Sequence, residues 1–174
     1  MTHHLASERF NPRIHDASAF DCGVAGMDSW LRENAEDAAR RQTAVTWVWA
    51  AGRRVVGYYA LSAHKLARDD VPRSIGRGGP VEIPAVLIGK LALDASLRGD
   101  GLGGTLLADA LTRVLLATQV VAARVVVVDA LNEKVATFYE QHGFTRIPGS
   151  LRLVRRTSSI RFDLLGHTET VPAT

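Results

Sequence analysis

Between a run of apolar residues and a strongly amphipathic segment, the chain reads Arg98-Gly99-Asp100-Gly101-Leu102-Gly103-Gly104-Thr105. Glycine accepts positive φ and lets a ligand approach the backbone closely. A turn of this kind can therefore aim several N–H groups at one anion, and the dipole of a following helix adds partial positive charge. A pyrophosphate would fit such a cradle; the alternative is a plain tight turn between strand and helix. The turn is neither of the two familiar nucleotide loops. The Lys-Ser/Thr ending of the phosphate-binding NTPase loop is missing, and no acidic residue closes a strand about 20 residues further on, as a dinucleotide site requires. Other reactive residue types are sparse. Cys22 is the only cysteine, so an internal disulfide and a cysteine-rich metal site are excluded, and it reads as a packed small hydrophobe rather than a nucleophile. His64 and His142 have no partners at ligand spacing and read as surface or loop histidines, so no metal is expected.

The elements that must position this turn follow from periodicity. From Asp28 to Arg41, the apolar residues Trp30, Leu31, Ala35, Ala38 and Ala39 recur at about 3.6 residues, with Glu33, Glu36, Asp37 and Arg40 opposite, which predicts an amphipathic helix. Thr43 to Ala50 and Val55 to Ser62 are rich in β-branched and aromatic side chains and flank Ala51-Gly52-Arg53-Arg54, a β-hairpin pattern. Ala85 to Asp94 is a strand that runs into the glycine turn. From Thr105 to Ala117, Leu106, Leu107, Ala110, Leu111, Val114 and Leu115 share one helix face, with Asp109 and Arg113 off it. Arg124 to Asp129 holds the continuous apolar run Val125 to Val128, as in a central strand covered on both faces. Asn132 opens a short helix through Gln141, and Gly143 follows where a left-handed cap is usual. Phe144 to Ile147 and Leu151 to Leu164 read as strands. The first dozen or so residues, Lys65 to Pro84 and the tail after Leu165 read as irregular. This order predicts an α/β fold, a central twisted mixed sheet flanked by helices, in one domain spanning residues 1–174.

Composition agrees with that size: of 174 residues, 47% are hydrophobic and 22% charged, enough for one core and too apolar for intrinsic disorder. No apolar run approaches the roughly 18 to 20 residues of a membrane span, and Met1-Thr2-His3-His4 lacks the regions of a secretory signal, so a cytoplasmic protein is expected. The net charge of +3 is carried largely by arginine. That balance permits contact with nucleic acid without demanding it. Arginines gather at Arg40-Arg41, Arg53-Arg54, from Arg68 to Arg77 and from Arg152 to Arg161.

Two motifs in the right order carry a family resemblance. Arg98-x-x-Gly101-x-Gly103, standing after Leu91-Ala92-Leu93-Asp94, resembles the acetyl-CoA pyrophosphate motif of the GNAT acetyltransferases. The run from Asn132 to Phe144, with Tyr139 ahead of a Gly-Phe turn, is similar to that superfamily's terminal block. Phe20-Asp21-Cys22-Gly23, Met27-Asp28-x-Trp30-Leu31 and Val56-Gly57-Tyr58-Tyr59-Ala60-Leu61 further resemble the TacT-like and AtaT-like toxin branch.

The resemblance implies an acetyl-CoA-dependent N-acetyltransferase toxin that acetylates the α-amino group of aminoacyl-tRNA and so blocks translation. It also implies cofactor contacts from the backbone of Leu91, Ala92 and Leu93, from Arg98, Gly99, Asp100, Gly101, Leu102, Gly103, Gly104 and Thr105, and from Asn132. Tyr139 would protonate the departing CoA thiolate, a task for which a phenol with a pKa of about 10 is suited. Many members of the superfamily carry a glutamate base on the cofactor strand, whereas the stretch from Leu87 to Leu93 offers none. An α-amine has a pKa of about 7.7 to 8.0, lower still beside an ester, so it supplies neutral amine unaided; a lysine at about 10.4 does not. That favours aminoacyl-tRNA as acceptor, with water or Asp94 as possible relays and a turn-forming role for Asp94 as the alternative. Arg40, Arg41, Arg73, Arg77 and Arg155 are the candidate tRNA contacts. A homodimer, and an antitoxin with a ribbon-helix-helix domain through which alone DNA would be met, are implied by the same resemblance. Two other readings stand beside it: a housekeeping acetyltransferase for a small amine or protein N-terminus, and a non-catalytic acyl-CoA-binding module indifferent to loss of Tyr139.

Overall fold

The computed structural model describes residues 6–166, so the expected irregular tail, apart from Gly166, and the first residues of the irregular N-terminus lie outside the described residues. The elements run β1 (Glu8–Arg9), α1 (Ala25–Glu33), α2 (Ala35–Arg40), β2 (Val45–Ala51), β3 (Arg54–Ala67), α3 (Arg73–Gly76), β4 (Glu82–Leu93), α4 (Leu102–Ala117), β5 (Val125–Asp129), α5 (Glu133–Gln141), β6 (Thr145–Arg146), β7 (Arg152–Arg156) and α6 (Thr157–Leu165). The strands join one seven-stranded sheet in the order β1-β2-β3-β4-β5-β7-β6. This is the α/β architecture that the element order predicts. Among the described residues no helix is long and apolar enough to cross a membrane. The chain divides into two compact units, residues 1–63 with 88–110 and residues 64–87 with 111–174.

In the first unit, β2 and β3 pair antiparallel with Ala51 opposite Arg54, leaving Gly52 and Arg53 as the turn, and Gly52 takes the positive φ of 63° that such turns require. Phe20, Leu31, Val48, Val55, Tyr58 and Ala92 form the core, with Met27 and Trp30 packed against it. Tyr58 is its hub: Phe20 meets the ring edge-on at 5.5 Å, Trp30 stacks on it at 6.1 Å, and its hydroxyl donates to Met27 O at 2.8 Å. The single helix expected from Asp28 to Arg41 is two. Asn34, a poor helix former, opens to φ −118° between them, while Leu31 and Ala35 remain buried on either side. Glu8 and Arg9, expected to be irregular, pair with Val48 and Trp47. Two residues are too few for any periodicity to reveal.

The second unit corrects the expected loop from Lys65 to Pro84. β3 continues to Ala67 and β4 starts at Glu82; Lys65 pairs with Glu82 at 2.9 Å, and Arg68 N donates to Val81 O at 2.8 Å. Pro84 has no N–H to give, yet its carbonyl accepts from Arg124 N at 2.8 Å. Leu66, Val71, Ile75 and Ile83 are buried with Val125, Val127 and Val154. Their irregular spacing amid glycine, proline and arginine hides them from a search for periods. The expected strand from Leu151 to Leu164 is also two elements, β7 and then α6. The alternation of Ile160, Phe162 and Leu164 imitates a strand, but only Ile160 is buried. Thr157 turns the chain, its N–H donating to Arg124 O and its hydroxyl to Ala123 O, each at 3.0 Å.

The central strand behaves as expected, with Val125, Val126, Val127 and Val128 all 0% exposed. So does the long helix, whose predicted face from Leu106 to Leu115 is buried throughout. α4 starts at Leu102 rather than Thr105, placing Gly103 and Gly104 within its first turn.

Replacing Ile83 with alanine tests the revised segment. A fully buried isoleucine should lose about 2 to 5 kcal/mol in a denaturant titration, whereas a position in a surface loop should change by under about 0.5 kcal/mol.

Candidate active site

The glycine turn lies in the first unit, at the start of α4. Gly99 has φ 93° and Gly101 φ 70°, values that L side chains rarely adopt, and a Cβ built at either meets nothing within 4 Å. Backbone conformation therefore demands glycine at both positions, and the space over them is open. The first N–H groups of a helix have no intrahelical partner, and the first turn of α4 carries no acidic residue to neutralise its positive end. Leu102, Gly103 and Gly104 are half-buried, while Asp100 and Thr105 are exposed. This is chemistry suited to a diphosphate bound by main-chain donors. Arg98 is tied to the segment from Phe20 to Gly23 through Nη2, which donates to Cys22 O, and its other N–H groups remain for a ligand.

That bond belongs to a larger clamp around Asp94, the residue between β4 and the turn. Asp94 is 2% exposed. Its carboxylate accepts from Asp21 N at 3.0 Å, from Ser96 N at 3.0 Å and Ser96 Oγ at 2.6 Å, and from Arg54 Nη2 at 3.4 Å. Burial opposes ionisation, yet the hydrogen bonds from Ser96 and Asp21 outweigh it and hold the carboxyl below the usual carboxylate range. The backbone joins in, Asp94 N donating to Val56 O at 2.9 Å and Ala95 N to Asp21 O at 2.8 Å. On the other side of the clamp, Cys22 N donates to Asp28 Oδ1 at 2.9 Å. Gly23 has φ 85°, and a Cβ there would sit 2.9 Å from Arg98 Nη2. The segment from Phe20 to Gly23 is thus tied to the segment from Asp94 to Arg98. With its oxygens occupied, Asp94 is a turn-forming residue rather than a proton relay. Cys22 is buried, and its thiol is pushed up to about 11 by that burial and by Asp28, which makes it a packed hydrophobe.

Leu91, Ala92 and Leu93, expected to contact the cofactor, also lie in the first unit, Ala92 buried and the other two half-buried. The only ionisable side chain between Leu87 and Leu93 is Lys90, whose Nζ lies 5.6 Å from the centre of the Trp30 ring. Sequence reading overlooked this pair, since nothing in the spacing of positions 30 and 90 links them.

Tyr139 and Asn132 belong to the second unit. Asn132 is the N-cap of α5, its Oδ1 accepting from Val135 N at 3.0 Å. Its side chain is therefore spent on starting the helix that carries Tyr139. The far end closes through Gly143 at φ 85°, with Phe144 N donating to Tyr139 O at 3.1 Å. Arg146 holds the helix to β6 by pairing with Glu133 at 2.6 Å and Glu140 at 2.9 Å. The Tyr139 ring is gripped edge-on by Phe138 at 5.2 Å and Phe144 at 5.5 Å. Tyr139 is 5% exposed, burial alone raises its pKa, and its hydroxyl has no hydrogen-bond partner among the described residues. A phenol so placed stays protonated at neutral pH and is free to donate.

The candidate tRNA contacts separate by their partners. Arg40 and Arg41 are exposed and both pair with Asp37. Arg155 is largely enclosed and pairs with Asp163. Arg73 and Arg77 are exposed and pair with no carboxylate among the described residues. Of the two histidines expected on the surface or in a loop, His64 lies in a strand instead, while His142 stands in the turn that follows α5. His64 is half-buried in β3 with Nε2 3.4 Å from Arg152 Nη1, and His142 is half-buried at the end of α5 with Nδ1 2.7 Å from Phe138 O.

The Acetyltransferase (GNAT) domain family matches residues 42–146. A protein of Sinorhizobium fredii (strain NBRC 101917 / NGR234), a probable toxin TacT, is 30% identical over 166 residues, 88% of this chain and 92% of that protein. AtaT complexed with acetyl-methionyl-tRNAfMet has a TM-score of 0.82 and 31% identity, covering 90% of this chain and 97% of that one. A Tyr-to-Phe mutant of AtaT bound to acetyl-CoA and to the C-terminus of the antitoxin AtaR has a TM-score of 0.79 and 30% identity, covering 91% and 97%.

Two substitutions probe the turn. Gly101→Glu should abolish acetyl-CoA binding in calorimetry while the protein remains folded, because a carboxylate would enter the open space where a phosphate is expected. Asp94→Asn keeps the size but not the charge, and should cost about 1.5 to 3 kcal/mol of stability at pH 7. Since the folded-state pKa of Asp94 is depressed, its contribution is complete above its unfolded value and disappears as pH falls through the folded one. The gap between wild type and Asp94→Asn should therefore close in melts taken below about pH 4.

Proposed function

Since the chain belongs to the GNAT acetyltransferases and, within them, to the toxins of the TacT and AtaT type, we propose that it moves the acetyl group of acetyl-CoA onto the α-amino group of aminoacyl-tRNA and so blocks translation. The amine nitrogen bonds to the thioester carbonyl carbon, the carbon–sulfur bond breaks, and sulfur takes the phenolic proton of Tyr139. The proton shed by the acylated nitrogen restores the phenol. Main-chain donors of the glycine turn hold the diphosphate, and the backbone of Leu91 to Leu93 holds the pantetheine arm. Residues 1–174 act as one acetyltransferase domain, a reading supported by a family match that runs through both compact units.

The observation that carries this reading is the state of Tyr139: buried, without a hydrogen-bond partner for its hydroxyl among the described residues, and kept protonated by that burial. That the AtaT complex with acetyl-CoA and AtaR was obtained with a Tyr-to-Phe mutant supports giving the tyrosine the central role. The acceptor follows from the missing base. With no carboxylate on β4 from Leu87 to Leu93 and with Asp94 fully engaged, the substrate must bring its own neutral amine, as an aminoacyl ester does. The acetyl-methionyl-tRNA held by AtaT supports the same choice. We place the protein in the cytoplasm as a homodimer, restrained by an antitoxin with a ribbon-helix-helix domain that supplies any contact with DNA.

Labelled acetyl-CoA offered to charged tRNA, polyamines and peptides together should label the tRNA; label in polyamine or peptide instead would favour a housekeeping acetyltransferase. Tyr139→Phe should still bind acetyl-CoA and melt within a few degrees of wild type, yet lose about 100- to 10,000-fold in turnover and no longer arrest translation when induced. Full activity in that variant would leave Tyr139 a packing residue and end the proposed mechanism.

A further inference from the structure

In the second unit, guanidinium groups converge on one short segment from Ile75 to Gly79. Arg156 donates through Nε to Ile75 O at 3.2 Å and through Nη2 to Arg77 O at 3.1 Å. Arg124 Nη2 donates to that same Arg77 O at 3.1 Å, and Arg68 Nη1 to Gly79 O at 3.1 Å. Two nitrogens on one carbonyl oxygen lie within about twice that distance of each other, a close approach for two cations. Glycine at 78 and 79 makes room for Arg124: a Cβ on Gly79 would sit 3.1 Å from Arg124 Nε, and Gly78 has φ 75°. Arg124 Nε itself is buried without a hydrogen-bond partner. Arg73 and Arg77 are exposed on the same segment.

None of these arginines pairs with a carboxylate among the described residues. Many other arginines are paired with carboxylates, Arg40 and Arg41 with Asp37, Arg146 with Glu133 and Glu140, Arg152 with Asp129, Arg155 with Asp163. Those that bond only to uncharged oxygens, such as Arg32, Arg53, Arg98 and Arg161, do not share an acceptor as Arg124 and Arg156 do. Around Ile75 to Gly79 the guanidinium groups are satisfied as donors by carbonyls but face no carboxylate among the described residues, and the neighbouring Asp69 and Asp70 are exposed and pair with none of them. A carbonyl fills a donor without cancelling a charge. Each guanidinium has five N–H donors in a planar fork that suits phosphate oxygens, so capacity remains after one or two bonds to the backbone. The charges are strung along residues 68–79 rather than gathered in a closed cavity, which suits a run of phosphates better than one anion.

We propose that the Arg68–Gly79 segment, backed by Arg124 and Arg156, is the surface that receives the phosphate backbone of the RNA substrate. This rests on the aminoacyl-tRNA reading above. Arg124 and Arg156 hold the segment in shape, Arg73 and Arg77 meet phosphates, and Arg68 serves both ends.

The test uses the double variant Arg73→Gln/Arg77→Gln, whose altered side chains make no hydrogen bond or ion pair among the described residues, with Arg77→Glu as a second variant. Three measurements are made: binding of full-length tRNA over a range of salt, acetylation of aminoacyl-tRNA, and acetylation of an aminoacyl ester of adenosine that has no tRNA body. The slope of log affinity against log salt should shrink by about 0.7 to 0.9 for each phosphate that the variant no longer neutralises. KM for aminoacyl-tRNA should rise about tenfold or more, with kcat, acetyl-CoA affinity and turnover of the adenosine ester unchanged. An unchanged salt slope, or equal losses on the long and short substrates, overturns the surface while leaving the reaction standing. Weakened binding of an acidic peptide with tRNA binding intact overturns it in favour of a protein partner. If wild type itself neither binds nor acetylates charged tRNA, the substrate reading fails instead.

Discussion

A single buried carboxylate organises the approach to the glycine turn. Asp94 joins the end of β4, the hairpin strand β3 through Arg54 and Val56, the N-terminal segment through Asp21, and the turn through Ser96. A buried charge is costly unless its hydrogen-bonding capacity is filled. Here filling it forces separate stretches of chain to end at one point. The left-handed glycines then have a fixed origin from which to present their N–H groups, and α4 has a fixed start. The segment from Phe20 to Gly23 has its structural reason in this clamp: it supplies an N–H to Asp94 and a carbonyl to Arg98, and its glycine leaves room for a guanidinium.

Tyr139 is held by a different device with the same logic. A cap at Asn132 fixes where α5 starts, a left-handed glycine at position 143 fixes where it stops, and Arg146 binds two of its glutamates to the strand that follows. Phe138 and Phe144 occupy the sides of the tyrosine ring, and the hydroxyl makes no hydrogen bond among the described residues. Packing thereby achieves what a hydrogen bond to the hydroxyl would spoil: it orients the ring and leaves the proton available.

What could be read in advance depended on whether the signal was local. The hairpin turn at Gly52, the four buried valines of β5, the apolar face of α4 and both ends of α5 are each written in a few consecutive residues, and each stands as expected. The glycine turn was legible for the same reason, since its composition and its conformation coincide. Failures came where the decisive partner is distant in sequence. Lys65 to Pro84 reads as a loop because its order depends on Val125, Val127 and Val154, and α6 reads as a strand because only the turn at Thr157 separates it from β7. Asp94 could be suspected as a turn residue, but not as the acceptor for Asp21, 73 positions away.

Charge pairing sorts the arginines in a way that their grouping in sequence does not. Arg40-Arg41 and the Arg152 to Arg161 stretch look like the stronger basic clusters, yet Asp37, Asp129 and Asp163 compensate Arg40, Arg41, Arg152 and Arg155. Arg124 and Arg156 are remote in sequence from Arg77, and they become its neighbours because Val125 and Arg156 pair across β5 and β7 at the end of the sheet where the segment from Ile75 to Gly79 lies. Net charge is therefore a poor guide to where a polyanion would bind. A chain of modest overall charge can still hold a concentrated, uncompensated positive field if its sheet register brings arginines together and its carboxylates are committed elsewhere.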